Sequence, residues 1–157
     1  MHNRIYQIST ESIPEDDYLP ADKFLDHWFT YKIADYVSDN TDRAEDIRSL
    51  KEILAKSAEF DSDSSFIIKP GGKEKYFQKA FLIFINQCIK ASLMELSKFV
   101  SISELSMLVF NIKNTYCDEY GVYVSSDAFG TIPLDEFIRS TEIGKRYFIG
   151  ATLDYHC

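Results

Sequence analysis

The stretch Arg146-Tyr-Phe-Ile-Gly-Ala-Thr-Leu-Asp-Tyr-His156 decides the class of fold. Tyr147, Ile149, Ala151, Leu153 and Tyr155 alternate with Phe148, Gly150, Thr152, Asp154 and His156. A period of two sustained over this length predicts a strand over Arg146 to Tyr155 with one buried face. Gly150 marks a point where another part of the chain can approach closely. A long strand at the end of a chain needs partners, so the rest of the sequence is read for strands to pair with it.

Three shorter candidates emerge. Arg4 to Ser9 alternates Tyr6 and Ile8 against Ile5 and Gln7, and Phe66-Ile-Ile-Lys69 precedes the turn Pro70-Gly71-Gly72. Val122-Tyr-Val124 follows the helix stop Tyr120-Gly121. The first and last strands are natural neighbours, because chain termini often lie close together. Between the strands the period changes to that of a helix. Asp42 with Glu45 three residues on is a capping arrangement that opens a helix through Ile47, Leu50, Ile53 and Leu54. Lys73 to Lys90 is the clearest helix, with Phe77, Phe81, Phe84 and Cys88 on one face. Ser92-x-x-Glu95 and Ser101-x-x-Glu104 are further capping boxes. The second opens a helix with Leu105, Leu108, Ile112 and Tyr116 on one side. Two broad apolar faces of this kind predict a main core of Phe77, Phe81, Phe84, Leu105, Leu108 and Ile112. Asp22 to Val37 is ambiguous between a helix and, as the alternative, a strand over Trp28 to Lys32; Glu59 to Ser65 reads as an acidic loop, and Thr131 to Arg139 as a short helix with Pro133 in its first turn. The expected architecture is α+β: one domain over residues 1–157, with about four short strands in a mixed or antiparallel sheet packed against several helices.

Charge is distributed unevenly. Met1 to Asp63 carries 15 Asp and Glu against 7 Lys and Arg, a balance of −8, whereas Ser64 to Cys157 carries 10 of each. The acidic N-terminal third, residues 1–63, therefore holds the whole net charge of the chain. Such a field repels nucleic acid and anionic lipid and steers toward basic surfaces. No run of eighteen apolar residues is present, so no membrane span is expected. The 157 residues and an apolar fraction of 45% are those of an ordinary globular domain. Cys88, Cys117 and Cys157 have no metal or redox spacing and fit a reducing cytoplasm, the first two as small hydrophobes on helix faces.

Several chemistries fail on spacing. Gly71-Gly72-Lys73 has the ending of a phosphate-binding loop, but Ile67 and Glu74 stand where glycine and Ser or Thr are required. Asp61-x-Asp63-x-Ser65 opens like a calcium loop, but Phe66 and Gly72 stand where Gly and Glu are needed. No dinucleotide fingerprint, nucleophile elbow or zinc spacing occurs, so neither cofactor nor metal is expected. Asp26-His27 and Asp154-x-His156 are the two places where a carboxylate accompanies an imidazole. They define an alternative pocket of His27, Asp154 and His156, with Tyr155 beside it, for a small molecule or a small enzyme. The leading expectation is a non-enzymatic cytoplasmic module that docks on a basic protein, as inhibitors, immunity proteins and nucleic-acid mimics do. Its expected contact residues are Asp16, Asp17, Tyr18, Asp42 and Asp46, acids interleaved with an aromatic. A purely solvating acidic surface is the competing reading.

Overall fold

A computed structural model describes residues 1–92, 102–114 and 120–157. The strand predicted at the C-terminus is β7, Arg146–His156, and the sheet is assembled around it. One edge of β7 pairs antiparallel along β1, His2–Ser9. The other edge is shared, by β4 (Ser65–Ile68) toward the start of β7 and by β2 (Tyr36–Ser38) at its end. Outside β1 lies β5, Tyr123–Ser126, in parallel, then β6, Gly130–Pro133; outside β4 lies β3, Ala58–Ser62. The mixed sheet thus has seven strands in the order β3-β4-β7-β1-β5-β6, with β2 beside β7.

Five α-helices occur among the described residues: α1 Trp28–Lys32, α2 Arg43–Leu54, α3 Gly72–Ser92, α4 Ile102–Asn114 and α5 Leu134–Ser140. Single 3-10 turns sit at Glu15–Asp17 and Ala21–Phe24. The α+β class holds, but the strand count of four is corrected to seven. Each added strand lacked a period-two signal for a physical reason. β3 is an edge strand whose Glu59 and Asp61 face water, so it reads as acidic loop. β6 ends in Pro133, which terminates the strand and caps α5 in one step. β2 has three residues, and its place comes from pairing with Val37 opposite Tyr155.

The alternation in β7 changes face partway along. Ile8 lies opposite Ile149 and Tyr6 opposite Thr152, so two steps along β1 match three along β7. This is a bulge, with Gly150 and Ala151 together opposite Gln7. Before it, Tyr147 and Ile149 join Tyr6, Ile8, Phe66 and Val124 under α2 and α5, whose Ile47, Leu50, Leu54, Phe137 and Ile138 cover that face. After it, Leu153 and Tyr155 turn to the opposite face and pack with Ile5, Tyr123, Phe24 and Phe29. The single buried face expected for Arg146 to Tyr155 is therefore corrected to two half-faces, which give the sheet a core on each side.

The expected main core is also corrected. Phe77 only flanks the core under α5, and Phe81 is half exposed. Phe84, Leu108 and Ile112 are partly buried, and Leu105's side chain lies outside those described. The sheet supplies enough apolar surface to close both cores, so α3 meets it only through its first turns. There Tyr76 donates to Asp135 Oδ1 at 2.7 Å, Lys73 donates to the Arg139 carbonyl at 2.8 Å, and the Arg139 guanidinium lies over the Phe77 ring, 5.2 Å from its centroid. Ser92 is the last residue of α3 and opens no helix there, while Glu95, the second capping serine Ser101, Tyr116 and Cys117 lie outside the described residues. Asp22 to Val37 is a 3-10 turn, α1 and β2 rather than one helix. Among the described residues no helix is long and apolar enough to cross a membrane.

Candidate functional site

The parallel strands β1 and β5 end side by side at Ser9 and Ser126. Parallel strands release their chains at the same end of a sheet, and that end is where open sheets offer a crevice. Here the segment 10–20 folds over it and is pinned by one side chain. Gln7 projects from β1 opposite the bulge, and its Nε2 donates to the Asp17 carbonyl at 3.0 Å. Its Oε1 accepts from Leu19 N at 2.9 Å and from Ala151 N at 3.0 Å. The bulge and the loop are thus held by one amide. A Cβ at position 150 would collide with that Oε1, which explains the glycine.

Between this loop and the strand ends is a cavity of about 580 Å³. Four carboxylates line it, Glu11, Asp16, Asp17 and Asp127, against one cation, Lys23. A second hollow of about 280 Å³ shares Ser9, Glu11, Ser126 and Asp127 with the first and extends to Phe129, Phe137 and Tyr147. Together they form a cleft, acidic at the mouth and aromatic at one end.

Asp16 and Asp17 are exposed on the 3-10 turn, and Tyr18 is half-buried beside them. The Arg43 guanidinium lies over the Tyr18 ring at 5.3 Å and donates to the carbonyls of Gly150 at 2.8 Å and Ile149 at 2.9 Å. Arg43 thereby fills the stretch of β7 left open between β4 and β2. Asp42, next to it, caps α2 by accepting from Ala44 N at 3.0 Å and Glu45 N at 3.2 Å, while remaining exposed. Asp16, Asp17, Tyr18 and Asp42 are therefore linked through Tyr18 and Arg43. Asp46 is not part of this surface. It is 4% exposed, one turn into α2, and its Oδ1 accepts from Arg4 Nε at 2.6 Å. Glu11 and Asp127 were not singled out from the sequence, because their approach depends on β1 and β5 pairing across more than a hundred residues.

The alternative pocket divides. His27 caps α1, its Nδ1 accepting from Phe29 N at 3.3 Å, and its ring meets Phe24 edge-on at 5.2 Å. It belongs to the α1 face of the sheet. Asp154 and His156 project on the α2 face, which the bulge reverses. Asp154 accepts from Arg4 Nη1, and its Oδ2 lies 2.8 Å from His2 Nδ1. His156 stacks on Tyr36 with ring centroids 5.5 Å apart, lies 5.0 Å from the His2 ring, and pairs with Asp35 Oδ2 at 3.1 Å. Tyr155 is buried and donates to the Gly121 carbonyl at 2.5 Å. The sheet separates His27 from Asp154 and His156. His2 takes its place, at a position the sequence marks only by its parity with Arg4 and Tyr6.

Burial lowers the Arg4 guanidinium's affinity for its proton, but the bond to Asp46 and the charges of Asp46 and Asp154 outweigh that and raise it above its usual value. Burial and the nearby Asp46 raise the Tyr6 phenol, which donates to the Asp46 carbonyl at 2.8 Å. A guanidinium occupies the centre of this group of carboxylates, and among the described residues no cluster of three or more His, Cys, Asp or Glu could hold a metal ion. No protein-family profile, no curated protein and no solved structure matches this chain.

Proposed function

We propose that the chain is a non-enzymatic interaction module that receives a basic segment of a partner protein in the cleft at the ends of β1 and β5. The observation that carries this reading is the lining, four carboxylates to one lysine around a cavity of about 580 Å³. Lysine and arginine side chains suit such a cleft, because their charged ends meet the acids at the mouth while their apolar stems lie along Tyr18 or Phe129. The acidic balance of residues 1–63 steers such a segment toward the cleft and disfavours nucleic acid. The free thiols Cys88 and Cys157 fit a reducing cytoplasm as its setting. Asp46 drops out of the contact set, and Glu11 and Asp127 enter it.

The test uses a fluorescein-labelled oligolysine peptide and anisotropy at 20 and 150 mM salt. Binding is expected at low salt and should weaken as salt rises. The triple change Asp16→Asn, Asp17→Asn and Asp127→Asn should weaken it about tenfold or more, with a thermal melt close to wild type, since exposed charges contribute little to stability. Equal binding by the triple variant would sink the reading, as would equal loss from neutralising acids remote from the cleft, such as Glu52 and Glu59.

A further inference from the structure

Beyond its first turns α3 leaves the sheet, and α4 packs against it. Six large apolar side chains there stay about half exposed. Phe81, Leu82 and Ile83 are 50%, 55% and 42% exposed, and Met107, Val109 and Phe110 are 59%, 59% and 52% exposed. Successive helical residues are about 100° apart, so the three on α3 sweep roughly 200° of its circumference. A helix apolar over so wide a sector is normally enclosed. The zone is also free of charge: no Asp, Glu, Lys or Arg occurs in 80–89 or in 105–112.

We propose that the α3–α4 pair is a self-association surface, and that its occupant is the same pair of helices of a second copy of this chain. Size supports that occupant. A large side chain buries roughly 150–250 Å² and an aliphatic one somewhat less, so six half-exposed residues leave on the order of 500–600 Å² per copy. Pairing two copies would bury at most about 1,000–1,200 Å², the range of a weak, reversible association. Charge supports it too. The net −8 of each chain is carried by residues 1–63 and none of it by the apolar zone, which presents nothing for a charged partner to match. Lys73, Lys75 and Lys79 gather at the foot of α3. A two-fold axis through the apolar zone, running perpendicular to the helices, sets the lysine feet of the two copies at opposite ends and buries no charge. The resulting four-helix packing would leave the acidic cleft of each copy open.

The experiment is sedimentation velocity of the full chain from 1 to 100 μM, at 150 and 500 mM NaCl. A dimer is expected, tightening as salt rises, because salt screens the repulsion between two acidic chains while apolar burial persists. This dependence is opposite in sign to that of peptide binding in the cleft, so either reading can fail alone. The variant Leu82→Glu with Phe110→Glu should sediment as a monomer throughout, a loss of at least 100-fold in affinity, with an unchanged far-ultraviolet circular dichroism spectrum. A wild-type monomer at 100 μM, or a variant that dimerises like wild type, overturns the proposal. So does wild type that floats with phosphatidylcholine–phosphatidylglycerol vesicles while remaining monomeric without them, since the occupant is then lipid. Should the variant lose its spectrum, amide exchange of the wild type decides the question. Protection over 80–89 and 106–112 that grows with concentration supports the dimer, and protection independent of concentration overturns it.

Discussion

A guanidinium that bridges buried carboxylates from the edge of a core must offset the desolvation of those carboxylates. Arg4 stands in that position. It joins Asp46 on α2 to Asp154 on β7, and Asp154 in turn meets His2. The arrangement is tight but incomplete, since Asp46 Oδ2 is buried without a hydrogen-bond partner among the described residues. Removing Arg4 alone strands a buried carboxylate, so Arg4→Met should cost about 3–5 kcal/mol. Adding Asp46→Leu removes the stranded charge along with its partner. The double variant should therefore be more stable than Arg4→Met by at least about 1.5 kcal/mol, a coupling typical of residues in one network. Urea melts of the four members of this cycle measure it, and additivity within about 0.5 kcal/mol would show that the ion pair contributes nothing specific. The residue pattern could not announce this group. Asp46 reads as one more acid in an acidic third, and only the docking of α2 against β1 turns it inward.

At the scale of elements, the bulge in β7 organises most of what surrounds it. It reverses the face of the strand, it receives Gln7 from one side and Arg43 from the other, and Gln7 in turn holds the loop that roofs the cleft. Gly150→Ala should cost about 1–3 kcal/mol, because the new methyl meets the Gln7 amide and that amide is fixed by two backbone donors. The companion change Gln7→Ala should recover part of the loss in Gly150→Ala while freeing segment 10–20, visible as faster amide exchange at Leu19. A Gly150→Ala protein with wild-type stability would mean the bulge absorbs a side chain without moving Gln7. The strand itself was legible, because eleven residues of alternation outlast a local irregularity, and so was the capping of α2 by Asp42. Gly150 was readable as a point of close approach, but not as a bulge: the shift of one residue is set by pairing with β1, 140 residues earlier in the chain. The aromatic face of Lys73 to Lys90 misled in the opposite way. Its periodicity is real, but periodicity reports a face that seeks cover and not which surface provides it.

For the molecule as a whole, two phenols, one buried and one half-buried, should set the alkaline limit and divide it into steps. Tyr6 lies under α2, where burial and Asp46 raise its proton affinity, and Tyr76 lies at the foot of α3, where burial and the bond to Asp135 do the same. Both are raised in the folded state above the value of 10.0 expected for the exposed phenol. A raised folded value means that the native state keeps a proton the unfolded chain gives up. The stability contribution is complete below pH 10 and declines as pH rises above it, by about 1.4 kcal/mol per pH unit for each phenol. The two should not respond together. Tyr6 is 1% exposed in the centre of the sheet core, so its ionisation requires global unfolding. Tyr76 is half-buried at the joint where α3 meets α5, which Lys73 and Phe77 also tie from the exposed end of the helix. Opening it exposes the phenol without melting the sheet, and local openings of this kind lie below the global free energy. Amide exchange between pH 10 and 11.5, corrected for its intrinsic acceleration by hydroxide, should therefore show α3 losing protection before β1 and β7. Tyr76→Phe should remove that early step, although it gives up about 1 kcal/mol from the lost bond at neutral pH. Tyr6→Phe should leave the early step in place and flatten only the later, global loss. Simultaneous loss of protection in α3 and the sheet in all three proteins would mean that α3 is bound into the core as firmly as the strands are.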